Sequence, residues 1–288
     1  MSDAPTISVV MAVYNGAALL PETLASLQAQ SFTDWELLLV NDGSTDGGGA
    51  VARRWLCDPR IRLVDDGQNL GLATRLNQIA SWARGRFLAR MDADDLMAAP
   101  RLERQVAFLR AHPAVDVVGG LAYTIDAANR VYGLRGQVGL PQTLRQVVGR
   151  TPFVHPTVMA RRSWCLRYPY RPDFRRAEDS ELWLRTLLQS RFQVLPEPVL
   201  FYRELGVPQG AKYRQTAREL QTLVRRYAAQ LGWAWAARQY ALIALKSGVY
   251  RVLTRLGQEP ALLRRRNRRL TAAQRQEAQT MLAEICRE

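Results

Sequence analysis

Short aliphatic runs alternate with amphipathic stretches through the first third of the chain. ISVVMAVYN (7–15), WELLLVND (35–42), IRLVDD (61–66) and RFLARMDADD (86–95) each begin β-branched or aliphatic and end polar. Between them PETLASLQAQS (21–31), GGGAVARRWLC (47–57) and GLATRLNQIASWARG (71–85) repeat apolar residues at helical spacing. Nearly continuous apolar strands separated by helices predict a parallel sheet covered on both faces. Right-handed crossovers then bring the strand C-termini to one edge, where open α/β sheets bind ligands. The polar residues gather at those ends: Tyr14 and Asn15, Asn41 and Asp42, Asp65 and Asp66, then Asp92, Asp94 and Asp95. Helix caps account for single Asp or Asn residues there, but poorly for the DADD cluster.

Farther along, 115–126 and 131–136 read as a hairpin joined by DAANR, followed by a helix at 141–149. HPTVMAR (155–161) reads as a strand. AEDSELWLRTLLQ (177–189) reads as a helix with positions 182, 183, 187 and 188 on one face, and QVLPEPVLFYR (193–203) as a proline-interrupted edge strand. Beyond Pro208 the pattern is helical. Tyr213, Ala217, Leu220, Val224, Tyr227 and Leu231 form an amphipathic stripe, followed by an apolar helix over 233–256, a basic run RRRNRR (264–269) and a last helix from Thr271. The predicted organisation is an α/β catalytic domain over 1–205 and a basic helical region over 206–288.

With 48% apolar and 23% charged residues, the chain can bury a large core. Cys57, Cys165 and Cys286 are odd in number and lack CxxC spacing, which points to free thiols and a reducing, cytoplasmic setting and excludes a zinc ribbon. The N-terminus shows no signal-type pattern and the chain no transmembrane run. The formal charge of +14 is lopsided: residues 201–288 hold 17 Lys and Arg against 6 Asp and Glu. Basic charge confined to one terminal piece argues against a nucleic-acid cleft and for an anionic surface. Peripheral contact with an anionic membrane through 233–269, or packing of this region into a homo-oligomer, are the two expectations. Arg238, Lys246, Arg251 and Arg255 do not share one side of an ideal helix, which counts against a simple in-plane membrane helix.

The sharpest chemical signal is MDADD (91–95). Carboxylates crowded at a strand end repel one another unless a cation sits among them, and hard divalent ions prefer such oxygen ligands. A metal held this way completes its shell with water and phosphates, which implies a diphosphate ligand. Other phosphate motifs fail: Lys246-Ser247 follows Leu245 rather than glycine, Lys212 precedes Tyr213, and the first strand is followed by one glycine rather than GxGxxG. Hydrolysis by Ser-His-Asp is poorly supported, with only His112 and His155 and no GxSxG.

SVVMAVYNG, VNDGSTDG, NLGLATRLN, RMDADD and AEDSELWLR, in this order over residues 7–203, resemble the signature of the family 2 glycosyltransferases, inverting enzymes of the GT-A fold. The resemblance implies a Rossmann-like, mostly parallel sheet, an Mn²⁺ or Mg²⁺ ion, a nucleotide-sugar donor (a UDP-sugar first) and a glycan or lipid-linked acceptor in cell-surface polysaccharide or glycolipid synthesis. It also implies roles. Tyr14 stacks on the base, Asp42 reads base or ribose, and Gly71 and Arg75 approach the nucleotide. Asp92 faces ribose or diphosphate, Asp94 binds the metal, and Asp95 assists. Substitution at an anomeric carbon also needs a base for the acceptor proton. Asp179, at the opening of a helix, is the expected base, with Glu178 holding the acceptor hydroxyl. His155 resembles a segment lining the sugar or acceptor side. The histidine that often follows a late Tyr-Arg pair is absent after Tyr202-Arg203, so no metal or diphosphate contact is expected from that region; the QxxRW element and membrane helices of processive synthases are absent too, so transfer of a single sugar is expected. Two alternatives remain at this stage: a sugar-1-phosphate nucleotidyltransferase, which would need a lysine-bearing glycine loop, and a basic RNA-binding scaffold.

Overall fold

The computed structural model describes residues 4–204, 210–255 and 267–286. The first strands form as expected: β1 (Ile7–Val13), β2 (Trp35–Asn41), β3 (Ile61–Asp65) and β4 (Phe87–Asp92) pair in parallel in the order β3-β2-β1-β4. Helices α1 (Leu20–Gln28), α2 (Gly48–Arg53) and α3 (Leu72–Trp82) make the crossovers. The two-residue period of the strands accounts for both layers. Ile7, Val9 and Met11 of β1 and Leu37 and Leu39 of β2 enter a core with α1, while Val10, Leu38 and Val40 meet Leu76 and Ile79 of α3 on the opposite face.

After β4 come the two-residue strand β5 (Leu96–Met97) and α4 (Arg101–Ala111), then β6 (Val117–Ile125) and β7 (Val131–Arg135), the expected antiparallel hairpin. Helix α5 (Leu144–Gly149) precedes β8 (Met159–Arg161), α6 (Arg162–Arg167), α7 (Glu178–Thr186) and β9 (Phe192–Arg203). Among the described residues nine strands form one sheet, continuing from β4 through β8, β6 and β9 to β5, with β7 on β6.

Three sequence expectations need correction. Residues 155–161 are not one strand: His155–Thr157 is a single 3₁₀ turn, because Pro156 cannot donate to a central ladder, and only Met159–Arg161 pairs. The 193–203 segment is not an edge strand along its whole length. Its end, at Leu200 and Phe201, lies between β6 and the two-residue β5, so only its proline-bearing first half is an edge among the described residues; the β6–β9 register slips between Gly119 and Ala122, opposite that stretch. Gly120 permits this approach, since a Cβ there would lie 2.6 Å from a Val199 methyl. Finally, α7 ends at Thr186, so Leu188 leaves the predicted face and is 72% exposed.

The C-terminal region is α8 (Gly210–Arg226), α9 (Ala228–Leu231), α10 (Trp233–Arg255) and α11 (Ala272–Ile285). It shares cores with the sheet. Leu223 and Leu231 join Trp164, Trp183 and Phe192, while Leu270, Ala278, Leu282 and Ile285 close over Leu96, Ile125 and Phe201. Of the RRRNRR run, 264–266 lie outside the described residues. Arg268 makes a β-bridge with Leu134, and Asn267 donates to Glu204 Oε2 at 3.0 Å, so the end of that run docks on the sheet. The three cysteines are free thiols.

Candidate active site

Parallel register sets Val13 beside Asn41, Asn41 beside Asp65 and Ala12 beside Asp92, so the four polar strand ends share one rim. Tyr14 follows β1 with its side chain 56% exposed. Its neighbour Asn15 takes a positive φ of 52° and is pinned, its N–H donating to Ser44 Oγ and its Oδ1 accepting from Thr45 N.

Asp42 and Arg75, both assigned to the nucleotide, are brought first to each other. Asp42 is buried, and its carboxylate accepts from Leu70 N (2.8 Å), Gly71 N (3.0 Å) and Arg75 Nε (2.8 Å). Gly71 presents its N–H at φ 82°, a left-handed conformation that a side chain resists. The fully buried Arg75 also grips Asp66 through Nη1 (2.8 Å) and Nη2 (2.6 Å) and donates to Gln68 O. Its hydrogen bonds hold the Asp66 carboxyl down at about 2. The pair thus shapes the 66–71 loop. Arg75→Met strands a buried carboxylate and is expected to cost about 3–5 kcal/mol in urea unfolding. Adding Asp42→Asn should recover part of that loss, and an unchanged midpoint in the single variant would refute the role.

At the end of β4, Asp92, Asp94 and Asp95 place one oxygen each within 4.8 Å of the others. Asp92 is ion-paired to Arg90 at 2.6 Å. Burial, then the charge of Asp92, pushes the Asp94 carboxyl up to about 6. Asp95 is 1% exposed and raised further, by burial and then by Asp94; its Oδ1 accepts from Arg203 N at 2.8 Å, and its Oδ2 has no partner.

Glu178 and Asp179 open α7. Glu178 is buried, its Oε2 has no partner, and burial followed by the Asp179 charge pushes its carboxyl up to about 8. Burial also raises Asp179, against the two hydrogen bonds that Ser180 N (2.6 Å) and Ser180 Oγ (3.2 Å) donate to its Oδ1. His155 is partly buried with Nε2 2.8 Å from the Tyr170 hydroxyl; burial, then the Arg90 charge, keeps it neutral.

Sequence reasoning missed three supports. Arg90 is buried, and its charge survives burial because Asp92 faces it; the same charge acts on Asp94, Asp95, Glu178 and Asp179, so it lies within electrostatic reach of both acid groups. Arg203 braces the aspartates, donating from Nε to Asp94 O (2.8 Å) and from Nη2 to Glu22 Oε2 (2.8 Å). Glu219 of α8 accepts from Arg176 N (2.7 Å) and Ala177 N (3.0 Å), clamping the backbone ahead of Glu178. An arginine two residues before a DXD is visible in sequence; nothing local marks the other two. A cavity of about 40 Å³, walled by Leu76, Leu88, Trp164 and Trp183, touches Arg90 and Tyr170 beneath the rim.

Residues 8–167 match the family model described as glycosyl transferase family 2. The chain belongs to the family 2 glycosyltransferases. The putative glycosyltransferase EpsE of Bacillus subtilis is 39% identical over 192 residues, 64% of this chain and 68% of EpsE. Among solved structures, TarS 1–349 of S. aureus in complex with UDP-GlcNAc superposes with a TM-score of 0.59 at 20% identity, over 83% of this chain and 71% of that one. The mannosyltransferase PcManGT of Pyrobaculum calidifontis, in complex with GDP-Man and Mn²⁺, gives 0.59 at 20% identity over 99% and 86%. These likenesses show the GT-A fold for this family 2 glycosyltransferase, and neither the nucleotidyltransferase nor the RNA-scaffold alternative finds support. No helix among its described residues is long and apolar enough to cross a membrane.

Proposed function

We propose that this family 2 glycosyltransferase is metal-dependent and inverting, moving one sugar from a nucleotide donor, a UDP-sugar first, to a hydroxyl of a cell-surface glycan or lipid-linked acceptor. The observation that carries this reading is the pair of acid groups within electrostatic reach of the buried Arg90: Asp92, Asp94 and Asp95 at the end of β4, and Glu178 with Asp179 at the start of α7.

The donor set suits Mn²⁺ or Mg²⁺, because it offers only oxygens, packs like charges, and leaves the buried Asp95 Oδ2 without a partner. Asp94 and Asp92 would hold the ion, with Asp95 behind them. When bound, the ion supplies positive charge to the diphosphate leaving group. Arg90 orients Asp92 through their 2.6 Å ion pair. Tyr14 offers an open ring for base stacking, and the Asp42–Arg75 pair fixes the loop beneath the nucleoside. Glu178, protonated at neutral pH, donates a hydrogen bond to bound hydroxyls, and Asp179 takes the acceptor proton. A single base facing the side opposite the leaving group gives direct displacement and an inverted anomeric carbon.

A panel of UDP- and GDP-sugars tests this by thermal shift, with Mn²⁺ or with chelator. One donor at about 100 times its Kd should add about 2.7 kcal/mol of stability, read as a Tm rise of several degrees that chelator abolishes. If no nucleotide sugar shifts the transition with either metal, the reading fails.

A further inference from the structure

Helix α10 is apolar on both sides. One side packs on α8 through Ala236 and Tyr250, whose ring stacks on Tyr213 at 3.8 Å. On the other, Leu245, Val249 and Val252 fall on one stripe at about 3.6 residues per turn and are 65%, 51% and 54% exposed. Ala241 and Ala244 beside them are exposed as well, and α10 contains no acidic residue. An apolar face of this extent on a surface helix marks a contact.

A basic pocket borders that face. Arg214 and Arg218 of α8 with Arg251 and Thr254 of α10 line an open cavity of about 390 Å³. None of the three arginines makes an ion pair among the described residues, and Thr254 Oγ1 is buried without a hydrogen-bond partner. Three guanidinium forks and a free hydroxyl form a donor set for a phosphate. Trp233 and Tyr240, 72% and 44% exposed, share a line of α10 with Arg251. That line sets amphipathic rings beside the apolar stripe, N-terminal to the basic pocket, a residue type enriched at bilayer interfaces.

We propose that α8 and α10 form a bilayer-docking face: Arg214, Arg218, Arg251 and Thr254 hold the phosphate of an anionic lipid headgroup while the Leu245–Val249–Val252 stripe enters the acyl boundary. Charge selects this occupant. A second copy related by a twofold axis would set arginine against arginine across a helix without an acid, whereas anionic headgroups offset the charge. Nucleic acid would satisfy the arginines and leave the stripe in water. This face differs from a contact through 264–269, whose described end is held by the sheet. It also differs from an in-plane helix working alone, because half of the clamp comes from α8.

The test is co-sedimentation of the full chain with phosphatidylcholine vesicles, with and without phosphatidylglycerol. We expect salt-sensitive binding that requires phosphatidylglycerol. The triple variant Arg214→Glu, Arg218→Glu, Arg251→Glu should weaken it on the order of a hundredfold or more, and the Leu245→Asp, Val249→Asp variant should also weaken it. Both variants should keep the wild-type Tm and donor-induced shift, since every altered side chain is exposed. Equal binding to neutral vesicles, or an unaffected triple variant, overturns the proposal. So does inorganic phosphate raising Tm through these arginines without vesicle binding, which would make this a soluble-anion site. Dimerisation lost in Leu245→Asp, or RNA binding without vesicle binding, overturns it as well.

Discussion

Asp179→Asn should lower kcat by roughly 10²–10⁴-fold, the contribution of a positioned general base, and should leave the donor KM little changed because the residue lies outside the 66–71 loop proposed to hold the nucleotide. The pH profile gives the same assignment a second reading. Burial raises the Asp179 carboxyl, so its proton stays on at acidic pH and the rate falls as pH drops through that value. Glu178 holds its proton to about 8 and then loses it, removing a donor and placing a second charge beside Asp179. The pair should therefore give a bell-shaped profile whose limbs belong to both residues together. Glu178→Gln should keep most of the rate and flatten the alkaline limb. If Glu178→Gln abolishes transfer while Asp179→Asn retains it, the roles are reversed.

Asp94→Asn separates activity from stability. Turnover should fall about 10²–10³-fold, typical of losing one preorganised electrostatic group, and the Mn²⁺-dependent part of the donor-induced Tm shift should disappear. Without metal, the variant should melt at the wild-type temperature or above it, because the native Asp94 is held near 6 by burial and by Asp92. The sign follows from linkage: a carboxyl raised from 3.8 to about 6 on folding contributes stability below its unfolded value, and that contribution is lost as pH rises through 6. Metal-free wild type should therefore lose Tm between about pH 4 and 6, and the variant should lose less. A variant with full turnover, or one that fails to fold at neutral pH, contradicts the site.

The first four strands were legible because ISVVMAV and WELLLVN bury alternate residues on two different layers, which permits few other structures. The acid cluster was legible because adjacent like charges at a strand end are costly and so carry information. What sequence missed is non-local. The pattern over 193–203 shows the prolines but neither Gly120, which makes room for Val199 across the sheet, nor the two-residue β5 that covers Leu200 and Phe201. The bond between Asp42 and Arg75 spans 33 positions and surfaces only on folding. Arg203 and Glu219 reach the site from 109 and 42–43 positions away, with no periodicity to announce them.

The Glu219 clamp ties the C-terminal helices to the backbone ahead of the proposed acid pair. A chain ending at residue 205 would keep every motif of the family signature yet deprive the two amides ahead of Glu178 and Asp179 of the Glu219 acceptor. On the proposed assignment the competent enzyme would extend at least through α8, and a force on that helix from a lipid surface would reach Asp179 through the Glu219 side chain.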